Sequence, residues 1–101
     1  MPNYRRYFQA GGTYFFTVKT FRHQRFLCTD ESRSLLRVAI GQTRNERPFD
    51  ILAFVLLPDH LHAIWVLPDG DQDFSQRWSL IKRRFTRGWL ERHESRVVSS
   101  A

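Results

Sequence analysis

The first clear alternation of apolar and polar positions follows the turn signal Gly11-Gly12. From Thr13 to Thr20, Tyr14, Phe16 and Val18 fall on one side of the chain, and Phe15, Thr17 and Lys19 on the other. Aromatic and β-branched residues at period two predict a strand with one face in a core. The period then lengthens. Leu35, Leu36, Ala39 and Ile40 recur at helical spacing behind the capping candidates Thr29 and Asp30, and Pro48 stops that helix by Arg47. Ile51 to Leu57 is an unbroken apolar run between Asp50 and Pro58, which predicts a strand covered on both faces. Pro58-Asp59 makes a tight turn into a third strand, His60 to Leu67, which Pro68-Asp69-Gly70 ends. Asp71 or Asp73 caps a second helix whose core stripe is Phe74, Trp78, Ile81 and Phe85. That helix breaks at Gly88 or runs on to about Glu94, and the tail from Arg96 is expected to fray. The order is β-α-β-β-α. It predicts an α+β, ferredoxin-like split βαβ fold without its last strand, in a single domain over residues 1–101 that is incomplete at its C-terminus.

Composition narrows the function classes. The chain has 101 residues, 16 basic and 10 acidic, for a net charge of +6. All but Lys19 and Lys82 of the basic residues are Arg, the side chain that forks onto phosphate and stacks on bases. An anionic partner, most simply nucleic acid, follows. The single Cys28 excludes an internal disulfide framework and a multi-cysteine zinc site; it reads as a small buried hydrophobe. No apolar segment is long enough to span a bilayer and the N-terminus has no signal segment, so a cytoplasmic protein without membrane contact is expected. The charge is divided: residues 1–28 are basic, residues 59–73 are acidic, and the second helix is basic again.

The most chemical stretch is Leu57-Pro58-Asp59-His60-Leu61-His62-Ala63-Ile64-Trp65. Residues two apart on a strand point the same way, about 6.5–7 Å apart. His60 and His62 therefore present two imidazoles to one divalent ion, although two ligands do not complete a site. The plainer reading is a pair of hydrogen-bonded strand histidines. Asp59 is a turn residue or an outer partner of the pair, and His23 and His93 read as ordinary surface residues.

These residues resemble a known family. Tyr4-Arg5-Arg6-Tyr7-Phe8 and Gly11-Gly12-Thr13-Tyr14-Phe15-Phe16-Thr17 resemble the N-terminus of the REP-associated tyrosine transposases. Phe54 to Trp65 is similar to their histidine-hydrophobic-histidine (HUH) motif, and Gly70-Asp71, Asp73-Phe74-Ser75, Arg77-Trp78 and Ile81-Lys82 match the helix after it. The resemblance implies a ferredoxin-like transposase of the HUH, single-tyrosine class. Such proteins bind single-stranded or hairpin DNA of repetitive extragenic palindromes and cut one strand through a tyrosine joined to the 5′ phosphate. It also implies that Mg²⁺ or Mn²⁺ is held by His60 and His62 with a ligand from a later helix. The family's nucleophilic tyrosine lies beyond the second helix. The tyrosines here are Tyr4, Tyr7 and Tyr14, none of which matches it, so the chain is expected to be truncated and to bind without cutting.

Two basic surfaces are expected to meet DNA. Tyr4, Arg5 and Arg6 interleave rings with charges, which suits unpaired nucleotides. Arg77, Lys82, Arg83, Arg84 and Arg87 ring the second helix. Five phosphate contacts there would give a salt slope of about −3 to −4 on single strands. Three readings compete: a truncated transposase domain, a non-cutting DNA-binding remnant, and an unrelated RNA- or metal-binding ferredoxin-like module. The missing edge strand predicts a homodimer or aggregation through the bare sheet edge.

Overall fold

The computed structural model describes the backbone of residues 3–9 and 12–100 and the side chains of residues 12–93. Its elements are β1 (Asn3–Gln9), β2 (Thr13–Lys19), a 3-10 turn (Phe21–His23), α1 (Asp30–Glu46), β3 (Asp50–Leu57), β4 (His60–Val66) and α2 (Phe74–Ser100). The four strands form one antiparallel sheet in the order β1-β2-β4-β3. The expected β-α-β-β-α core is present, from β2 to α2.

Tyr14, Phe16 and Val18 of β2 and Leu61, Ala63 and Trp65 of β4 are buried on one face of the sheet. Leu35, Leu36 and Ala39 of α1 and Trp78, Ile81 and Phe85 of α2 pack into the same core. Trp65 sits at its centre, with ring centroids 4.2 Å from Phe49, 4.5 Å from Trp78 and 4.8 Å from Phe16. Both helices cover this face and leave the other open. Thr29 caps α1 by accepting the Ser32 amide at 3.1 Å, and Asp73 caps α2 by accepting the Gln76 amide at 3.0 Å. Gly88 does not break α2. A Cβ there would lie 2.6 Å from Leu35 Cδ2, so the glycine lets the two helices approach closely. The tail that was expected to fray continues this helix to Ser100.

Four expectations are corrected. Tyr4 to Phe8, for which no element was expected, has the backbone of strand β1, paired with β2 from Asn3↔Lys19 to Gln9↔Thr13. β1 takes the sheet edge beside β2 that was expected to be bare, which removes that edge as the ground for a dimer. β3 is not covered on both faces. It is the opposite edge of the sheet, with Leu52 63% and Val55 51% exposed. Cys28 is exposed, with its thiol 3.5 Å from the Leu56 carbonyl oxygen. Among the described residues, no helix is long and apolar enough to cross a membrane.

Candidate functional site

The open face is built by the alternation that fills the core. Leu61, Ala63 and Trp65 point inward, so His60 and His62 point outward. The register sets their neighbours. His60 lies between Lys19 of β2 and Leu57 of β3, and His62 lies between Thr17 and Val55. The His62 row continues to Arg5 on β1, and the next row runs from Ile64 through Phe15 to Tyr7.

The two imidazole rings stand 5.0 Å apart between centroids, nearly perpendicular at 86°. Each is held at Nδ1. His60 Nδ1 lies 2.8 Å from Asp59 Oδ1, and His62 Nδ1 lies 3.0 Å from Thr17 Oγ1. A carboxylate only accepts, so neutral His60 carries its proton on Nδ1 and keeps a lone pair on Nε2. The Thr17 hydroxyl accepts equally well from a His62 Nδ1–H. This is the arrangement in which outer partners orient metal-binding histidines. The hydrogen bond from His60, with the charge of Arg25 assisting, holds the Asp59 carboxyl below the usual carboxylate range. Among the described residues, no cluster of three or more His, Cys, Asp and Glu could hold a metal.

Asp59 is itself anchored. Its carbonyl accepts the Thr20 amide at 3.0 Å and the Thr20 hydroxyl at 3.1 Å, and that hydroxyl also meets the Gln24 carbonyl at 2.8 Å. The Leu27 amide donates to the Pro58 carbonyl at 3.0 Å. The segment from Thr20 to Leu27 is thus bound to the turn before His60. It brings exposed Arg22 and Arg25 to this end of the sheet, and His23 Nδ1 within 3.8 Å of Asp59 Oδ2. Arg22 and His23 both take φ of 55°, a left-handed conformation costing about 1–2 kcal/mol per non-glycine residue.

The predicted cation surfaces divide. Arg77 is corrected from a DNA contact to a structural residue: it is 2% exposed. Its guanidinium donates to both Asp71 carboxylate oxygens, at 3.1 and 2.9 Å, and to the carbonyls of Arg47, Pro48 and Asp73 at 2.9–3.1 Å. This bidentate contact draws Asp71 down to about 2. Arg84 joins the helices, donating to Thr43 Oγ1 at 2.9 Å and Glu46 Oε1 at 2.6 Å. Lys82 is half-buried, and burial lowers its pKa. Arg83 and Arg87 are exposed, but α2 packs on the helix-covered face, across the sheet from the histidines. β1 separates the N-terminal pair: Arg5 is in register with Thr17 and His62, and Arg6 with Phe16 and Ala63 of the core row. Tyr4 pairs in register with Val18, also in the core row. The side chains of Tyr4, Arg5 and Arg6 lie outside the described residues.

Reading the sequence missed Thr17 and Lys19 as neighbours of the histidines, and Arg22 and Arg25 behind Asp59. The alternation of β2 already put Thr17 and Lys19 on the outward face; only the strand pairing put them beside the histidines. His93 is not an ordinary surface residue. It stacks on Trp89 at 4.1 Å and approaches Glu31 Oε1 at 3.1 Å.

Comparison with known proteins places this site in context. The chain is 50% identical over 86 residues to the REP-associated tyrosine transposase of Escherichia coli, covering 85% of this chain and 52% of that protein. It is 39% identical over 87 residues to a Haemophilus influenzae protein assigned to the same group, covering 86% of this chain and 49% of the relative. It therefore spans about half the length of the curated relatives it matches. A solved structure of a REP-associated tyrosine transposase bound to a REP hairpin superposes with a TM-score of 0.71 at 50% identity, over 86% of this chain and 52% of that one. A Deinococcus radiodurans crystal structure assigned as a transposase shares the fold at a TM-score of 0.63 and 15% identity, over 78% of this chain and 59% of that one. No family model matches the chain.

Proposed function

We propose, for a chain that belongs by sequence with the REP-associated tyrosine transposases, that it binds single-stranded or hairpin DNA across the open face of its sheet, at a divalent metal centre held by His60 and His62. The observation that carries this reading is the pair of outward imidazoles, 5.0 Å apart between ring centroids and each held at Nδ1 by Asp59 or Thr17, which leaves both Nε2 atoms available to a ligand. Mg²⁺ or Mn²⁺ there would supply a Lewis acid for a non-bridging phosphate oxygen. The chain's own residues do the rest. Asp59 and Thr17 hold the ring orientations. Lys19, in register with His60, places a cation in the same row, and Arg5 extends the His62 row toward β1. Arg22 and Arg25 guard the end of the sheet where Asp59 sits.

The chain binds this DNA and does not cut it. Covalent strand cleavage needs a nucleophile that reaches the phosphate. Tyr14 is buried on the helix-covered face, its ring 5.4 Å from Phe74, and the sheet separates it from the histidines. Tyr4 pairs in register with Val18 of that same buried row, and Tyr7 with Phe15, on a strand not adjacent to β4. The open β3 edge, apolar at Leu52 and Val55, is where a second copy would pair.

The test is fluorescence anisotropy with a palindromic hairpin carrying a single-stranded extension, against a duplex of the same composition, with and without Mn²⁺. Tighter binding of the hairpin, strengthened by Mn²⁺ and lost in His60→Ala, is expected. Equal affinity for both DNAs, or no response to His60→Ala, overturns the reading. A covalent adduct with a suicide substrate overturns the claim that this chain does not cut.

A further inference from the structure

A second surface lies on the other side of the β3 edge. Arg33, Arg37 and Arg44 of α1 line a groove of about 430 Å³ whose floor includes Ile40, Phe54 and Leu56. No acidic residue lines it. Arg33 and Arg37 are exposed and one turn apart, so two like charges stand side by side on the helix, an arrangement that costs stability. Arg44 donates its Nε–H to the Phe49 carbonyl at 2.9 Å, which fixes its place at the rim. A merely solvated helix face does not need an apolar floor beneath three cations. Phosphate suits the rim, and the flat π-face of a nucleobase suits the floor.

The groove adjoins the proposed DNA face. Val55 is in register with His62, while its neighbours Phe54 and Leu56 turn to the groove. A strand leaving the histidines would need to cross only the exposed edge of β3 to reach Arg33 and Arg37. We infer that this groove holds unpaired nucleotides of the bound DNA, with phosphates on Arg33, Arg37 and Arg44 and a base against Phe54. The inference rests on the DNA-binding reading above and extends the contact from the open face onto α1.

The test uses the full chain with two hairpins, one with a single-stranded extension and one blunt. The variant is Arg33→Gln/Arg37→Gln, two exposed positions without a role in the core. Losing two single-strand phosphate contacts lowers the salt slope by about 1.4, or about 25-fold in affinity per decade of salt. That loss is expected on the extended hairpin, with blunt-hairpin affinity and the circular dichroism spectrum unchanged. A 5-iodouracil placed in the extension should crosslink to a peptide containing Phe54. If the wild-type chain binds and the variant binds equally well, the groove assignment fails and the DNA reading stands. An equal loss on both hairpins, or crosslinks only to peptides outside α1 and β3, also overturns the groove. A second copy in the groove would instead show as variant-sensitive dimerisation without DNA, which overturns it too. If the wild-type chain binds neither hairpin, both readings fall.

Discussion

Replacing Arg77 should damage the fold, not DNA binding. The residue is 2% exposed, and its guanidinium ties Asp71 and the Asp73 carbonyl to the end of α1 through the carbonyls of Arg47 and Pro48. In Arg77→Met the apolar stem is kept, but the Asp71 carboxylate keeps only the Asp73 amide as a donor, and three carbonyls lose the guanidinium. Breaking a buried, hydrogen-bonded ion pair from one side costs about 3–5 kcal/mol. A domain of this length holds about 5–15 kcal/mol in total, so much of the margin goes. Arg77→Lys keeps the charge and loses the fork, for a smaller cost of about 1.5–3 kcal/mol. The assay is urea denaturation followed by tryptophan fluorescence, alongside hairpin affinity per folded molecule. The pair also sets an acid dependence. Asp71 is lowered from 3.8 to about 2, so its contribution is fully present above about pH 4 and is lost as pH falls toward 2. With Asp71 a third exposed, solvent screening leaves about 1 kcal/mol of it. That acid slope should be largely reduced in Arg77→Met, with the Asp73 amide still holding Asp71 somewhat below its ordinary value. A variant with the wild-type urea midpoint, weakened hairpin binding and a shallower salt slope would refute the structural role and restore Arg77 as a DNA contact.

Other outcomes follow from the same geometry. Asp59→Asn and Thr17→Val remove the outer partners of His60 and His62. Each should weaken Mn²⁺ binding about 10–100-fold by calorimetry while the circular dichroism spectrum stays unchanged. Gly88→Ala puts a methyl group 2.6 Å from Leu35 Cδ2 and should cost about 1–3 kcal/mol in chemical denaturation, despite the better helix propensity of alanine. Leu52→Lys places a charge on the exposed edge strand. It should change stability by less than about 0.5 kcal/mol and reduce any concentration-dependent association seen by light scattering.

The parts legible in the sequence were those whose signal is local. Period two in β2, helical spacing in α1 and α2, and the caps at Thr29 and Asp73 needed only neighbouring residues. So did the outward histidine pair, because Leu61, Ala63 and Trp65 identify the inward face of β4. β1 was missed because adjacent Arg5 and Arg6 break its alternation and mimic a basic arm; pairing with β2 makes it a strand. β3 was misread because an unbroken apolar run looks the same in a buried strand and in an edge strand with open apolar positions. Arg77 and Arg84 looked like surface cations because their partners lie far away in sequence, at Arg47, Pro48, Thr43 and Glu46. Asp71 and the Asp73 carbonyl are the exceptions, since both sit within two turns of Arg77. The outer partners of the histidines divide in the same way: Asp59 is adjacent in sequence, and Thr17 is found only through the strand register.

The central claim is that His60 and His62 together hold a divalent metal on the DNA-binding face. Electron spin echo spectroscopy of Mn²⁺ bound to the chain with a hairpin reads imidazole nitrogens directly. Coupling from two imidazoles is expected in the wild type, from one in either His60→Ala or His62→Ala, and from two still in His23→Ala and His93→Ala. Absence of nitrogen coupling in the wild type, or a spectrum unaltered in both His60→Ala and His62→Ala, would contradict it.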